Sequence, residues 1–514
     1  MALRWFLSLL CGVSMALAFE PYRLPVLLPL GIAGLVLLTR GAPVGRAAVV
    51  GLGFGVGYMY VHLFWMRAVG YDAWLALAGA QAVFFLVLGA GFAVVSRSRA
   101  EWVWYPLLYV AIEVLRGAFP FGGLPWGRLA FATIDTPWAA SLPWVGPTLV
   151  SLLIATTGSL AAWVLVRWRE EGLRATARPA AALGVAVVLT AVPVVATYDV
   201  VPERTVTVAA IQGNVPGDGS DILLDHRQVT RNHVDTTVEL AEDVRAGRRD
   251  LPAFVVWPEN STAVDPFRDL SINSGIRTAA EAIGVPVLVG AIADGGAPDT
   301  VLNQGIVWDP RTGAGDRYTK RHPVPFGEYI PYRDRVFTRN FGRLDLIPRD
   351  MYSGTRVEPL RVGDVAVADA ICFDVAYDDG IHAQLKAGGE LLVVQTSNAM
   401  FIHTSQIEQQ FAISRLRAIE TGKYVVVAAT NGVSGIIAPD GSVLERAGVR
   451  TRAALVGEVG LATGASPAVT WGAWPGRAVV LLAAAGVLWG LIPYRRRGRV
   501  PAAHPAVDAE VPVP

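Results

Sequence analysis

The stretch Val365-Ala366-Val367-Ala368-Asp369-Ala370-Ile371-Cys372-Phe373-Asp374 is a short valine- and alanine-rich run that stops at a cysteine. A bounded apolar run of this length reads as a buried strand, Val365 to Ile371, with Cys372 just past its carboxyl end. Working outward, the same pattern recurs from Arg204 to about Gly460. Strands are expected at Val206–Ile211, Phe254–Trp257, Val285–Ile292, Gly305–Trp308, Leu391–Gln395, Tyr424–Ala429 and Leu455–Val459. Stretches of helical period fall between them at Arg227–Arg245, Ile272–Ile283, Ala376–Ala387 and Ile407–Thr421. This alternation predicts an α/β domain over residues 205–460.

Ligands meet α/β sheets at the carboxyl ends of strands. Three polar residues fall at or shortly beyond such ends: Cys372, Glu259 in Val255-Val256-Trp257-Pro258-Glu259-Asn260, and Asn398 in Gln395-Thr396-Ser397-Asn398. Lys320 lies in a loop running from Tyr318 to Tyr329, stiffened by two prolines and a glycine. Nucleophilic acyl transfer needs a thiolate, a base to make it and a donor for the developing oxyanion. Cys372, Glu259 and Lys320 supply these three, with the backbone N–H after Cys372 as a second oxyanion donor. The scheme uses no metal and no cofactor. Each residue also has a plainer reading: a buried small hydrophobe for Cys372, a surface ion pair for the charges and a turn former for Asn398. A Cys–His site is disfavoured because His322, His382 and His403 lack a ligand-like spacing.

The rest of the 514-residue chain has a different character. Averaged over the whole chain, mean hydropathy is +0.42 and charged residues make up 17%, values of a membrane protein rather than a soluble one. Lys and Arg (44) balance Asp and Glu (43), so no global basic field points to nucleic acid. Two cysteines, Cys11 and Cys372, exclude a disulfide framework. Seven apolar runs precede Tyr198, near Trp5–Phe19, Leu24–Thr39, Ala47–Met66, Trp74–Val95, Trp102–Leu115, Pro143–Val166 and Pro179–Thr197; an eighth covers Ala478–Ile492.

With the first residue inside, thirteen arginines (4, 40, 46, 97, 99, 167, 169, 174, 178, 495, 496, 497 and 499) lie on the inner side. Four (23, 67, 116 and 128) lie on short outer loops. The positive-inside rule then puts the α/β domain outside the cytoplasm, in a multi-pass protein of the inner membrane. The expected organisation is a seven-helix transmembrane domain (1–197), a linker (198–204), the catalytic domain (205–460), an interfacial connector (461–475), a last span (476–493) and a disordered cytoplasmic tail (494–514).

Three blocks together resemble a known family. Trp257-Pro258-Glu259, the Lys320 loop ending in Pro325-Phe326-Gly327-Glu328-Tyr329-Ile330-Pro331, and Ile371-Cys372-Phe373-Asp374 are similar to the nitrilase superfamily, specifically its membrane-bound apolipoprotein N-acyltransferase branch. Glu113-Val114-Leu115-Arg116-Gly117, Gly123-Leu124-Pro125-Trp126-Gly127 and Ile211-Gln212-Gly213-Asn214-Val215-Pro216 extend the likeness. So do Arg415 to Glu420 and Ala429 to Gly435, and the likeness then covers nearly the whole chain.

The resemblance implies an αββα sandwich, a Glu259–Lys320–Cys372 triad and an accessory role for Glu328. It also implies transfer of an acyl chain from a phospholipid, through a Cys372 thioester, to the α-amine of a diacylglyceryl-cysteine apolipoprotein. Phe373-Asp374 and Asn398-Ala399-Met400-Phe401 depart from the family pattern, which puts Phe373 and Asn398 at the substrate pocket. Two other readings remain at this stage. One is a membrane-tethered amidase or nitrilase-type hydrolase with the same triad. The other is a transporter or lipid-binding scaffold, for which Glu113 and Arg116 offer too few intramembrane charges.

Overall fold

The computed structural model describes residues 1–98, 100–221, 225–297, 299–333, 335, 344–345 and 347–492; the expected tail lies outside the described residues. The apolar runs fold as helices α1 (Ala2–Ala16), α2 (Leu27–Thr39), α3 (Val44–His62), α4 (Tyr71–Val95), α5 (Glu101–Arg116), α6 (Leu142–Glu171) and α7 (Ala177–Val195). Helices α3, α4, α6, α7 and the C-terminal helix are long and apolar enough to cross a bilayer, while α1 and α2 are shorter. Close approach depends on glycine. A Cβ on Gly51 of α3 would lie 2.1 Å from the Phe85 carbonyl oxygen, and one on Gly89 of α4 would lie 2.2 Å from that of Ala47. Backbones that near can be reached only by residues without a side chain.

The domain that follows runs β1 (Arg204–Gln212), α8 (His226–Arg245), β2 (Phe254–Val256), α9 (Leu270–Ile283), β3 (Val287–Asp294), β4 (Thr300–Asp309), β5 (Gly313–Thr319), β6 (Asp350–Met351) and β7 (Leu360–Val362). It continues β8 (Val365–Ile371), α10 (Asp379–Lys386), β9 (Leu391–Thr396), α11 (Gln406–Thr421), β10 (Val425–Ala429), β11 (Gly435–Ile437), β12 (Val443–Arg446) and β13 (Ala453–Leu461). Helices α12 (Pro467–Trp471) and α13 (Trp474–Leu491) close the described chain. Among the described residues one sheet has the order β13-β1-β2-β3-β4-β5, with β6 beside β4, and the other β12-β11-β10-β9-β8-β7.

Side-chain alternation builds the sandwich. On β8, Val365, Val367 and Ile371 face the other sheet, against Phe254, Val256 and Leu288. Ala368 and Ala370 face Ile381, Leu385 and Leu416 of α10 and α11. Helices α8 and α9 cover the first sheet through Leu240, Ile272 and Ile276. The order of layers is therefore helix, sheet, sheet, helix, as the family resemblance implied. The α10–α11 layer shares one continuous apolar core with the membrane helices, so the second sheet is fastened to them through it.

Every expected strand and helix of the domain is present. Five further strands, β5, β6, β7, β11 and β12, were not expected from the sequence. Helix α10 starts at Asp379 rather than Ala376, because residues Cys372–Ala376 form a 3-10 turn and Tyr377 is extended.

Candidate active site

Strands β1, β2 and β3 are parallel, β4 is antiparallel to β3, and β5 is antiparallel to β4. The carboxyl ends of β2 and β5 therefore share one edge. Glu259 follows β2 and Lys320 follows β5 directly, so the lysine expected in a loop stands at a strand end like the other two. Cys372 follows β8 in the facing sheet with a φ of +53°, a left-handed conformation that costs a non-glycine residue about 1 kcal/mol.

The carboxylate of Glu259 is buried. Its Oε1 accepts from Lys320 Nζ at 3.0 Å and from Asn303 Nδ2 at 2.7 Å, and its Oε2 from the Ser397 N–H at 3.0 Å. Lys320, only 1% exposed, also donates to Glu328 Oε1 at 2.7 Å. The other oxygen of Glu328 accepts from the Val324 N–H at 2.7 Å, which ties the loop back on itself. Burial opposes charge on Lys320, but Glu259 and Glu328 outweigh it and hold the ammonium well above its usual range. Burial, with Glu259 repulsion, raises Glu328 despite its lysine partner. Burial and the negative Glu259 push the Cys372 thiol up to about 12, against the pull of Lys320. Cys372 therefore rests as a neutral thiol, and to act as a nucleophile it would have to lose its proton as the bond forms.

Three neighbours went unread in the sequence. Asp374 accepts from the Arg321 N–H (3.2 Å), the His322 N–H (2.8 Å) and the Tyr318 hydroxyl (3.0 Å), which clips the lysine segment to the Cys372 turn. Thr396 lies near the Cys372 thiol and favours its ionised form. Because Thr396 Oγ1 accepts from Gln410 Nε2 at 3.0 Å, its own hydrogen is free for the sulfur. Gln410 in turn accepts from Asn398 at 2.9 Å. Asn398 is thus buried, with its amide nitrogen committed to Gln410 and Gln406. The sequence carries no signal for these links, since each depends on tertiary placement.

Phe373 turns toward the membrane domain, stacked on Trp126 with centroids 6.3 Å apart, and Tyr377 donates to the Gly123 carbonyl at 2.9 Å. The intramembrane charges hold the loop that bears Trp126. Arg116 donates to the carbonyls of Leu124, Trp126 and Gly127 at 3.0, 2.6 and 2.6 Å, and Glu113 accepts from the Leu129 N–H at 2.8 Å. Among the described residues no group of three or more His, Cys, Asp or Glu side chains is placed to hold a metal ion.

Residues 207–466 match the carbon-nitrogen hydrolase family, and residues 11–160 match the apolipoprotein N-acyltransferase N-terminal domain. Fold and site thus define a membrane protein that carries a carbon-nitrogen hydrolase domain on a bundle of apolar helices. Curated relatives named apolipoprotein N-acyltransferase align over almost all of it. The Mycolicibacterium smegmatis protein is 35% identical across 95% of this chain and 84% of its own length. The Methylococcus capsulatus protein is 28% identical over 98% of both chains, and that of Azotobacter vinelandii 30% identical over 98% of this chain and 97% of its own. The chain belongs to the apolipoprotein N-acyltransferase family and is an acyltransferase.

Proposed function

We propose that the chain moves an acyl group from a membrane phospholipid to the α-amine of a diacylglyceryl-cysteine on an apolipoprotein, through a thioester on Cys372. As the sulfur attacks the ester carbonyl, Glu259 takes the thiol proton while Lys320 and the Phe373 N–H face the oxyanion. The carbon–oxygen bond breaks and Glu259 passes the proton to the departing glycerol oxygen. The lipoprotein amine then attacks the thioester, an amide forms, and the sulfur recovers its proton through Glu259. Glu328 is the accessory group that holds Lys320 from its far side. Phe373 borders the acyl path directly; Asn398 acts on the site through Gln410 and Thr396.

The observation that carries this reading is the seating of the nucleophile's own turn on the membrane domain, through Phe373 on Trp126 and Tyr377 on Gly123. A site there meets two lipid-anchored substrates without extracting either from the bilayer. The arginine bias supports an orientation with the domain outside the cytoplasm, and a phospholipid donor and lipoprotein acceptor fit an inner-membrane protein.

Intact-protein mass spectrometry after incubation with a defined phospholipid tests the proposal. A hydroxylamine-labile acyl adduct on wild type, absent from Cys372→Ala and discharged by a diacylated lipopeptide amine, is expected. Discharge to water at the same rate without the amine would make the chain a hydrolase instead.

A further inference from the structure

Behind the triad, between the two sheets, lies a carboxyl group with no part in the chemistry just described. Asp369 is the third residue before Cys372, fully buried on β8. Its backbone is fixed on both sides by Gln384 of α10, which accepts from the Asp369 N–H at 2.9 Å and donates to the Asp369 carbonyl at 2.8 Å. The strand's alternation sends its side chain toward the first sheet, where Gly305 of β4 leaves room. A Cβ on Gly305 would lie 2.3 Å from Asp369 Oδ2 and 2.6 Å from Gln395 Oε1. The two oxygens converge on the same small space.

Gln395 has one tenable orientation. Its Nε2 donates to the Trp257 carbonyl at 2.5 Å and approaches that of Leu288 at 3.4 Å, so the amide oxygen must point the other way, toward Asp369. Among the described residues neither that oxygen nor either carboxyl oxygen of Asp369 has a hydrogen-bond partner of good geometry. Buried acceptors left facing one another cost roughly 1–3 kcal/mol each, more when one is charged. One proton on Asp369 resolves the conflict by turning it into a donor.

We propose that Asp369 is a positioning residue of the acyl-transfer reaction: as a neutral carboxylic acid it donates to Gln395 Oε1, and Gln395 in turn fixes the Trp257 carbonyl two residues before Glu259. The chain of contacts runs from β8 through β9 to the end of β2, and so sets the general base of one sheet against the nucleophile of the other. The groups facing Asp369 agree with a neutral acid. Asp374 on the turn after β8 is negative, Tyr318 on β5 is uncharged, and Gly305 of β4 and Gln395 of β9 bring no charge. Burial, and then the Asp374 charge, raises the Asp369 carboxyl well above the usual range, with the Ala370 N–H weakly opposing.

This inference rests on the proposed role of Glu259, and two variants with two readouts keep the two claims apart. Asp369→Asn retains a donor at every pH, whereas Asp369→Leu retains none. Single-turnover acylation of Cys372 at neutral pH should stay within about twofold of wild type for Asp369→Asn. It should fall roughly 10- to 100-fold for Asp369→Leu with donor KM little changed, the size expected for a displaced base.

The second readout, the thermal midpoint against pH, requires no acyl transfer. A folded-state carboxyl raised above its unfolded value near 4 makes wild type progressively less stable as pH rises toward the folded pKa. The midpoint of Asp369→Asn should therefore gain on that of wild type as pH rises from about 4 toward the folded pKa. Parallel midpoint curves, or an Asp369→Asn variant as slow as Asp369→Leu, overturn the inference. If Asp369→Leu does not fold, the Asp369→Asn comparison decides alone. A wild type that forms no thioester but shows the widening margin defeats the reading of Glu259 and leaves the neutral acid standing.

Discussion

At the residue scale, one ammonium stands between a buried carboxylate, Glu259, and a half-buried one, Glu328, beside a thiol that is neutral at rest. The roles of the three principal residues can be separated by single-turnover rates. Cys372→Ser should abolish thioester formation while leaving the protein folded and inserted, because the volume change is small. Glu259→Gln should slow acylation by roughly 10²- to 10⁴-fold, the usual span of general-base catalysis. Lys320→Met should lose about 10²- to 10³-fold, as oxyanion donors do. A Glu259→Gln variant acylated at the normal rate would take the base elsewhere.

His322 provides a separate test of the clip around Asp374. Its ring lies flat on Tyr377 at 3.8 Å, with Nδ1 3.1 Å from Asp374 and Nε2 3.2 Å from Asp379. Burial opposes its charge, but the two carboxylates prevail and push it up to about 9. A raised histidine stabilises fully below its unfolded pKa near 6.5, and that stability fades as pH climbs through the folded value. His322→Gln should therefore lower the stability by about 2–3 kcal/mol at pH 6 and by little at pH 9.5, read from unfolding midpoints in detergent. The sequence made Glu259, Lys320 and Cys372 legible because each ends an apolar run or sits in a stiff segment. Asp374, Thr396 and Gln410 stayed hidden, since nothing local distinguishes a polar residue that clips two segments from one that faces water.

At the scale of elements, apolar patterning worked where burial is two-sided and failed at the edges. Strands β2, β8, β9 and β10 are buried along their whole length, so an apolar run marks them. Strand β5 carries Asp316 and Arg317, and β12 carries Glu445 and Arg446 with most of its residues exposed. Edge strands need no apolar run, and this is why Lys320 read as a loop residue. Among the helices, α3 is defined by its glycines: Gly51 and Gly55 face α4, while Gly57 faces Leu9 of α1. Gly51→Leu cannot keep the α3–α4 distance, since the obstruction is the Phe85 backbone rather than a movable side chain. Overpacking of this kind should cost about 1–3 kcal/mol or more, seen as a fall in the detergent melting midpoint. Gly45→Leu, with nothing within 4 Å, is the matched control and should leave the midpoint unchanged.

At the scale of the whole molecule, the two ends of the helical bundle have different partners. At one end Arg40, after α2, pairs with Glu101 of α5 and Glu170 of α6, each at 2.9 Å. At the other, the segments after α1, α3 and α5 meet the α/β domain. Gln409 of α11 donates to the Glu20 carbonyl, Trp65 packs on Phe401, and Trp126 donates to Gln409 at 2.8 Å. This alternation is what antiparallel helices joined end to end by short connections produce. The central fastening is ionic and partly buried: Arg128 grips Asp378 at 2.8 and 3.0 Å, Arg417 shares that carboxylate at 2.8 Å, and Glu420 pairs with Arg417.

Asp378 adjoins Tyr377, so one contact serves both docking and the nucleophile's turn, and a change at Arg128 separates the two. Arg128→Met leaves Asp378, which is partly exposed, with Arg417, a loss of about 1–2 kcal/mol. If Arg128 serves docking, acylation of Cys372 by a phospholipid in the bilayer should fall at least tenfold. Acylation by a water-soluble short-chain active ester should stay near the wild-type rate, because Glu259, Lys320 and Glu328 are tied to one another rather than to the helices. An equal fall with both donors would mean that the Arg128–Asp378 pair shapes the site itself, through Tyr377 and His322, rather than its hold on the membrane domain.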